Sequence, residues 1–321
     1  MRRLLASAIA SFASFGLVVG PGMAACRRET PHGATAAASA SAACAPDGQG
    51  CGRLECRQYD SAAEAFGRVL RDAPRVVGVG EVHAPKGANV PSAAARFTDE
   101  LLPVVAGRAS DLLVELMMPP AKCLDAAAQV KAQQSVVTSR QAETNQNEYV
   151  AMGERARKLG IVPDMLRPSC ADMDAIRDAG DEAIDLSLRT IGRVTGAQAR
   201  RLVDRDEGSD ADRGKMVLVY GGALHNDLEP PAATASYSYA PELDRYTHGR
   251  FVAVDLVVPE FIGDDDTWRS LPWWPSYDRR RLGRKVTLFR TDDRSFVLVF
   301  AMTAKTGTEE EGGRPSPEGH P

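Results

Sequence analysis

Apolar positions fall along this chain in two rhythms. Short uninterrupted runs, rich in valine, recur at residues 76–80 (VVGVG), 111–116 (DLLVEL), 216–220 (MVLVY) and 251–257 (FVAVDLV). Runs of this kind read as strands buried on both faces. Between them, apolar residues recur three and four apart, at 61–72, 121–134, 148–159 and 171–203. The same spacing marks 92–106, where Phe97, Leu101, Leu102 and Val105 share one side. That period predicts helices. Residues 161–166 read as a further strand, and 286–290 and 296–302 flank TDDRS as a closing hairpin. Strands alternating with helices predict an α/β fold: a mainly parallel central sheet with helices on both faces, and a C-terminal antiparallel hairpin added at one edge.

The ends of the chain follow different rules. Arg2 and Arg3 precede an apolar run over 4–20, which Pro21-Gly22 breaks. This is the pattern of a secretory signal peptide. Met23-Ala24-Ala25-Cys26 then resembles the lipobox of bacterial lipoproteins, in which the cysteine is lipidated. The expected organisation is a signal peptide over 1–25, a lipid-anchored flexible tether over 26–58, an α/β domain over 59–303 and a disordered acidic tail over 304–321. Such a chain is exported and membrane-anchored through its N-terminal lipid, facing the periplasm or the cell surface. Simple secretion is the alternative.

Export permits disulfides. Beyond Cys26 the cysteines are Cys44, Cys51, Cys56, Cys123 and Cys170. No CxxC pair and no nearby histidine accompanies the first three, so they are expected as disulfide partners rather than metal ligands, with at least one bridged. The pairing stays open, and an odd count leaves one thiol. The net charge is −4 and no basic domain stands out, so no nucleic-acid partner is expected.

Three strand ends carry polar groups that a buried strand would not otherwise hold. The first delivers Glu81 and His83, the second Glu115, and the third Gly221-Gly222 followed by His225. Ligands of open α/β sheets bind outside the carboxyl ends of the strands. Residues far apart in sequence are thus expected to meet in one cleft. Residues i and i+2 of an extended segment point the same way, so Glu81 and His83 can face one centre. Glycine at 80, 221 and 222 is expected to allow positive φ and close approach of the backbone.

GEVH, VELMMP and GGALH together resemble the motifs of the Tiki/TraB/ChaN superfamily, which includes erythromycin-esterase-like proteins. Its pattern is two GxxH motifs, here Gly80–His83 and Gly222–His225, with an acidic residue between them, here Glu115. The resemblance covers roughly residues 60–302. It implies one of three activities: a metal-dependent protease, a haem-binding lipoprotein of iron uptake, or an esterase with histidine as base. It also implies a site arginine, for which Arg167 is the candidate cofactor-binding residue. Residues 84–87 (APKG) lack the further histidines of the haem-binding branch.

The residue types point the same way without the name. Two imidazoles and one or two carboxylates match the ligands of Zn²⁺, Mn²⁺, Fe²⁺ or Ni²⁺. Glu81, His83 and His225 are the expected metal ligands, and with Glu115 the expected catalytic set. A bound metal activates water. Without one, either histidine can act as a general base oriented by a carboxylate. The expected substrate is a small molecule or a peptide. Haem is the alternative cofactor, and a non-catalytic ligand-binding or scaffold protein the alternative role.

Plainer roles stand beside these. The histidines can be satisfied strand-end groups, and Glu115 a helix-dipole or salt-bridge partner. Asp255 reads as a structural buried acid, His248 as a surface residue, and Met117 and Met118 as rim residues. Residues 267–281 hold all three tryptophans; local contacts are their expected role, and a lid or aromatic platform the alternative.

The N-terminal reading gives one direct expectation. Palmitate labels the expressed chain and fails to label the Cys26→Ser variant; equal labelling of both removes the anchor.

Overall fold

The apolar runs form the middle of an eight-stranded sheet. The computed structural model describes residues 54–304. The expected signal peptide, Cys26, Cys44, Cys51, most of the tether and the tail from residue 305 lie outside the described residues. In chain order the main elements are β1 (Glu55–Tyr59), α1 (Ala62–Val69), β2 (Val76–Glu81), α2 (Ala93–Arg96), β3 (Ala109–Met117), α3 (Leu124–Thr138), α4 (Asn145–Lys158), β4 (Val162–Leu166), α5 (Cys170–Asp178), α6 (Ala183–Glu207), β5 (Met216–Gly222), α7 (Ala240–Tyr246), β6 (Phe251–Val257), β7 (Val286–Arg290) and β8 (Ser295–Val299). The sheet order is β1-β7-β8-β6-β2-β5-β3-β4. Pairing is parallel from β8 through β4, and antiparallel where β7 meets β8 and β1.

Strand alternation divides the core. Val77, Val79, Leu112, Leu218 and Val254 face α1, the 93–105 segment and α4, packing with Phe66, Phe97 and Met152. Val76, Leu113, Val217, Val219 and Phe251 face the opposite way, onto α6 and α7. The β7–β8 half of that second face is covered by Trp273 and Leu282, which pack on Phe289, Val297 and Val299. Trp273 is buried, with its ring 5.8 Å from that of Phe289, so local contacts account for it. At the amino edge, buried Asp206 accepts from Ser110 at 2.5 Å, and Arg205 bonds both Asp206 and Asp111. These contacts fasten α6 to the sheet.

The structure departs from the sequence reading at several boundaries. The hairpin is not the sheet edge, because β1 adds outside β7. Residues 55–58, expected in the tether, therefore lie in a strand: Cys56 opposes Phe289 and is buried in the third cluster. The expected helix over 92–106 is helical only to Arg96. It then widens into a π turn over Phe97–Leu101 and tightens to a 3₁₀ turn over Leu102–Val105, where Pro103 cannot donate to the helical ladder. The helix expected over 171–203 is two helices, broken at Gly180, whose φ is +58°. Among the described residues no helix is long and apolar enough to cross a membrane.

Cys56 is disulfide-bonded, in keeping with the expected bridging of the 44–56 cluster. Cys123 and Cys170 form a second disulfide, with Cα atoms 5.4 Å apart and a sequence separation of 47. It joins the segments that follow β3 and β4, where Val130, Met173 and Ile176 make a small separate cluster. Closing a loop of this length restricts the unfolded chain by about 2–4 kcal/mol. The Cys123→Ser/Cys170→Ser double variant is expected to lose stability of that order. Urea unfolding measures it, and an unchanged midpoint would show that the bridge contributes nothing.

Candidate functional site

β2 ends on Glu81, and strand alternation decides where that side chain points. Val77, Val79 and Glu81 share one face, so the carboxylate enters the first core cluster and is 4% exposed. A carboxylate buried there requires donors. Three supply them. Tyr149 Oη, from α4, donates to Oε1 at 2.6 Å. His83 Nδ1 lies 2.7 Å from the same oxygen. Tyr220 Oη, from β5, donates to Oε2 at 2.6 Å. Burial, with the Glu81 charge, pushes both phenols well above the ordinary tyrosine range, so they remain donors.

The Glu81 contact fixes the His83 ring. Nδ1 carries the proton that faces the carboxylate, and in the neutral ring Nε2 keeps its lone pair. The side chain is 27% exposed. Burial alone would lower this imidazole. The hydrogen bond and charge of Glu81, with the charge of Glu115, outweigh burial and hold it above the usual histidine value. The following loop is tied down: Ala142 N–H donates to Ala84 O and Lys86 N–H to Arg140 O, both at 2.8 Å. The chain leaving His83 is thereby stitched to the chain entering α4, which carries Tyr149.

Glu115 reaches the same edge from the other face of the sheet, the face of Leu113. Its Oε2 accepts from Gly222 N–H at 2.8 Å, and its Oε1 lies 3.7 Å from His225 Nε2. His225 is buried in a single turn after β5, where Nδ1 donates to the Tyr237 carbonyl at 2.8 Å. Both histidines are thus held through Nδ1 and present Nε2. The two halves meet at Gly222. A Cβ built on that residue would stand 3.8 Å from each of His83 Nε2, Glu115 Oε2 and His225 Cδ2.

Glu81, His83, Glu115 and His225 therefore do come together, but the expected ligand set is not presented as such. The Glu81 oxygens are engaged by two phenols and the His83 ring rather than turned toward His225. Among the described residues, no three His, Cys, Asp or Glu side chains stand close enough together to hold a metal ion. Arg167 follows β4, where its guanidinium bonds Asp164 at 2.9 Å and its side chain is 63% exposed. None of its contacts joins it to the four residues. His248 is exposed, in a turn with φ of +55°.

The glycines serve close approach, not positive φ. None of Gly80, Gly221 and Gly222 has positive φ. A Cβ on Gly221 would overlap the Glu115 carboxylate. Tyr149 and Tyr220 are the members that the sequence reading missed. The available signal was a tyrosine inside an apolar stripe, since a buried hydroxyl needs a partner.

No family model and no curated protein matches this chain. Several solved structures show a distant likeness. A type III effector is 10% identical, with 77% of this chain and 98% of that one covered, at a TM-score of 0.37. A mutant erythromycin esterase in its open conformation is 9% identical, with 79% and 99% covered, at 0.41. A Bacillus cereus protein is 7% identical, with 77% and 95% covered, at 0.35. At these scores none of their chemistry transfers to this chain.

The Glu81–His83 contact is open to a direct check. In ¹H–¹⁵N spectra, His83 is expected to titrate above the free-imidazole value of about 6.5, and Glu81→Gln to bring it down. Because folding raises this midpoint, the pair stabilises the protein fully below about pH 6.5 and fades as pH rises through the folded midpoint. A His83 midpoint unmoved by Glu81→Gln would contradict the contact.

Proposed function

We propose that this protein is an exported, lipid-anchored hydrolase of ester or lactone bonds, in which His83 is the general base. The observation that carries the reading is the 2.7 Å contact between His83 Nδ1 and a buried carboxylate, with Nε2 turned toward Gly222. A carboxylate behind Nδ1 holds the ring in one tautomer and stabilises the imidazolium formed during reaction, the logic of catalytic triads. Here Tyr149 and Tyr220 hold that carboxylate in turn.

In this reading water is the nucleophile. His83 Nε2 takes its proton as the oxygen attacks the carbonyl carbon, and the imidazolium rests on Glu81. Collapse of the tetrahedral species breaks the bond to the leaving oxygen, which receives the proton back. His225, fixed by the Tyr237 carbonyl, sets a second acid–base nitrogen beside the same space. Glu115 locks the Gly222 backbone between the two rings. An alcohol leaves more readily than an amine, which favours esters and lactones over peptides for a site with one activated base. The lipobox cysteine Cys26 and the apolar run before it support the exported, anchored location.

The test is a panel of chromogenic esters, lactones and peptides assayed with the wild type, His83→Ala and His225→Ala. Ester or lactone turnover is expected, falling about 10²- to 10⁴-fold in His83→Ala. The rate should rise with pH through a midpoint above about 6.5, and Glu81→Gln should move that limb to lower pH. Turnover that survives His83→Ala, or turnover of peptides alone, would overturn the assignment.

A further inference from the structure

β6 ends near an acid that the hydrolytic reading does not use. Asp255 stands in register with Gly80 of β2 and Val297 of β8. Its Oδ1 is buried without a hydrogen-bond partner. The space over Gly80 is filled from three directions: a Cβ there would stand 2.5 Å from Asp255 Oδ1, 2.7 Å from Ala223 Cα and 2.8 Å from Asn226 Oδ1. Gly80 is therefore the floor on which the Asp255 carboxyl and the turn after β5 close together.

Asn226 connects the two. It is buried, its Nδ2 donates to the Gly78 carbonyl at 3.2 Å, and its Oδ1 shares the space over Gly80 with the Asp255 carboxyl. Asn226 directly follows His225, whose carbonyl accepts from Tyr239 N–H at 3.0 Å and from Ser238 Oγ at 3.1 Å. The turn that presents His225 thus hangs on Asn226 at one end and on Ser238 and Tyr239 at the other.

Among the described residues, no cation acts on Asp255. The groups around it are Asp227 from the same turn and Tyr239 at the start of α7; β2 and β8 offer Gly80 and Val297. Burial pushes this carboxyl up to about 7, with Asn226 acting against the rise and the Asp227 charge adding to it. A protonated carboxyl can donate to a neighbouring acceptor, whereas an ionised one only accepts. An ionised one held here would also be a buried charge without a counter-ion.

We propose that Asp255 is a positioning residue that acts through Asn226 on the turn presenting His225, and that the turn holds His225 in place only while this carboxyl carries its proton. For its kinetic consequence the proposal rests on the hydrolytic reading; for its structural consequence it does not.

The experiment uses the full chain with ¹⁵N-labelled histidine, the His225 resonance being identified by its loss in His225→Gln. Its shifts are followed from about pH 5 to about pH 9. In the wild type, the resonance is expected to move near the Asp255 midpoint of about 7. Asp255→Asn has the same shape and cannot ionise, and should remove that movement. Asn226→Ala breaks the connection from the other end and should remove it as well. Where ester turnover is measurable, kcat/KM of the wild type should fall about tenfold on the alkaline side. Asp255→Asn should stay level there. His225 shifts that follow the same course with pH in the wild type and in Asp255→Asn overturn the proposal whether or not a substrate is in hand. Absence of turnover with the His225 effect present overturns only the hydrolytic reading.

Discussion

A carboxylate inside an apolar cluster organises this protein's carboxyl edge. Left alone at that depth, Glu81 would cost several kcal/mol of desolvation. It is tolerable because β5 supplies Tyr220, α4 supplies Tyr149, and β2 itself, two residues on, supplies His83. Each charge-assisted bond contributes about 1.5–3 kcal/mol. Satisfying the acid therefore holds three parts of the fold in one arrangement. The same bond that satisfies Glu81 leaves His83 Nε2 free, so a requirement of burial becomes a feature of the site.

The second constraint is space. Glu81 lies on one face of the sheet and Glu115 on the other, and side chains from opposite faces meet only beyond the strand ends. Gly221 is the passage. With no Cβ there, the Glu115 carboxylate lies over the backbone and reaches Gly222 N–H. Parallel pairing sets Gly80 beside Gly221 and Glu81 beside Gly222, so both GxxH segments leave the sheet at the same level. That shared level brings His83 and His225 to one residue despite their distance in sequence.

Much of this was legible beforehand. Valine-rich runs marked the central strands, because a strand buried on both faces admits little else. Paired polar groups after those runs marked the edge, because a sheet interior would not hold them. The tyrosines were legible only as buried hydroxyls in need of a partner, since Tyr149 fits the apolar stripe of α4 as any aromatic would, and only the fold shows its hydroxyl pointing at Glu81. Nor was the division of labour among the polar residues. Spacing alone put Glu81 and His83 on one side, but whether Glu81 faces a shared ligand or supports its neighbour depends on which donors burial brings to it. The edge strand β1 was missed because Cys56 sits in a polar stretch whose partner, β7, lies at the far end of the described chain, Cys56 opposing Phe289.

The polar groups of the carboxyl edge converge on Gly222. Whether they act as one site is tested by substituting Gly222→Ala. Gly222 has ordinary φ and ψ, −65° and 139°, and an added methyl would meet its neighbours only at van der Waals distance, so the fold should accept it. The same methyl would occupy the space that His83 Nε2, Glu115 and His225 share. A single site predicts a urea midpoint close to the wild type together with hydrolytic kcat/KM reduced at least about tenfold. Wild-type kcat/KM in a folded Gly222→Ala protein would contradict it.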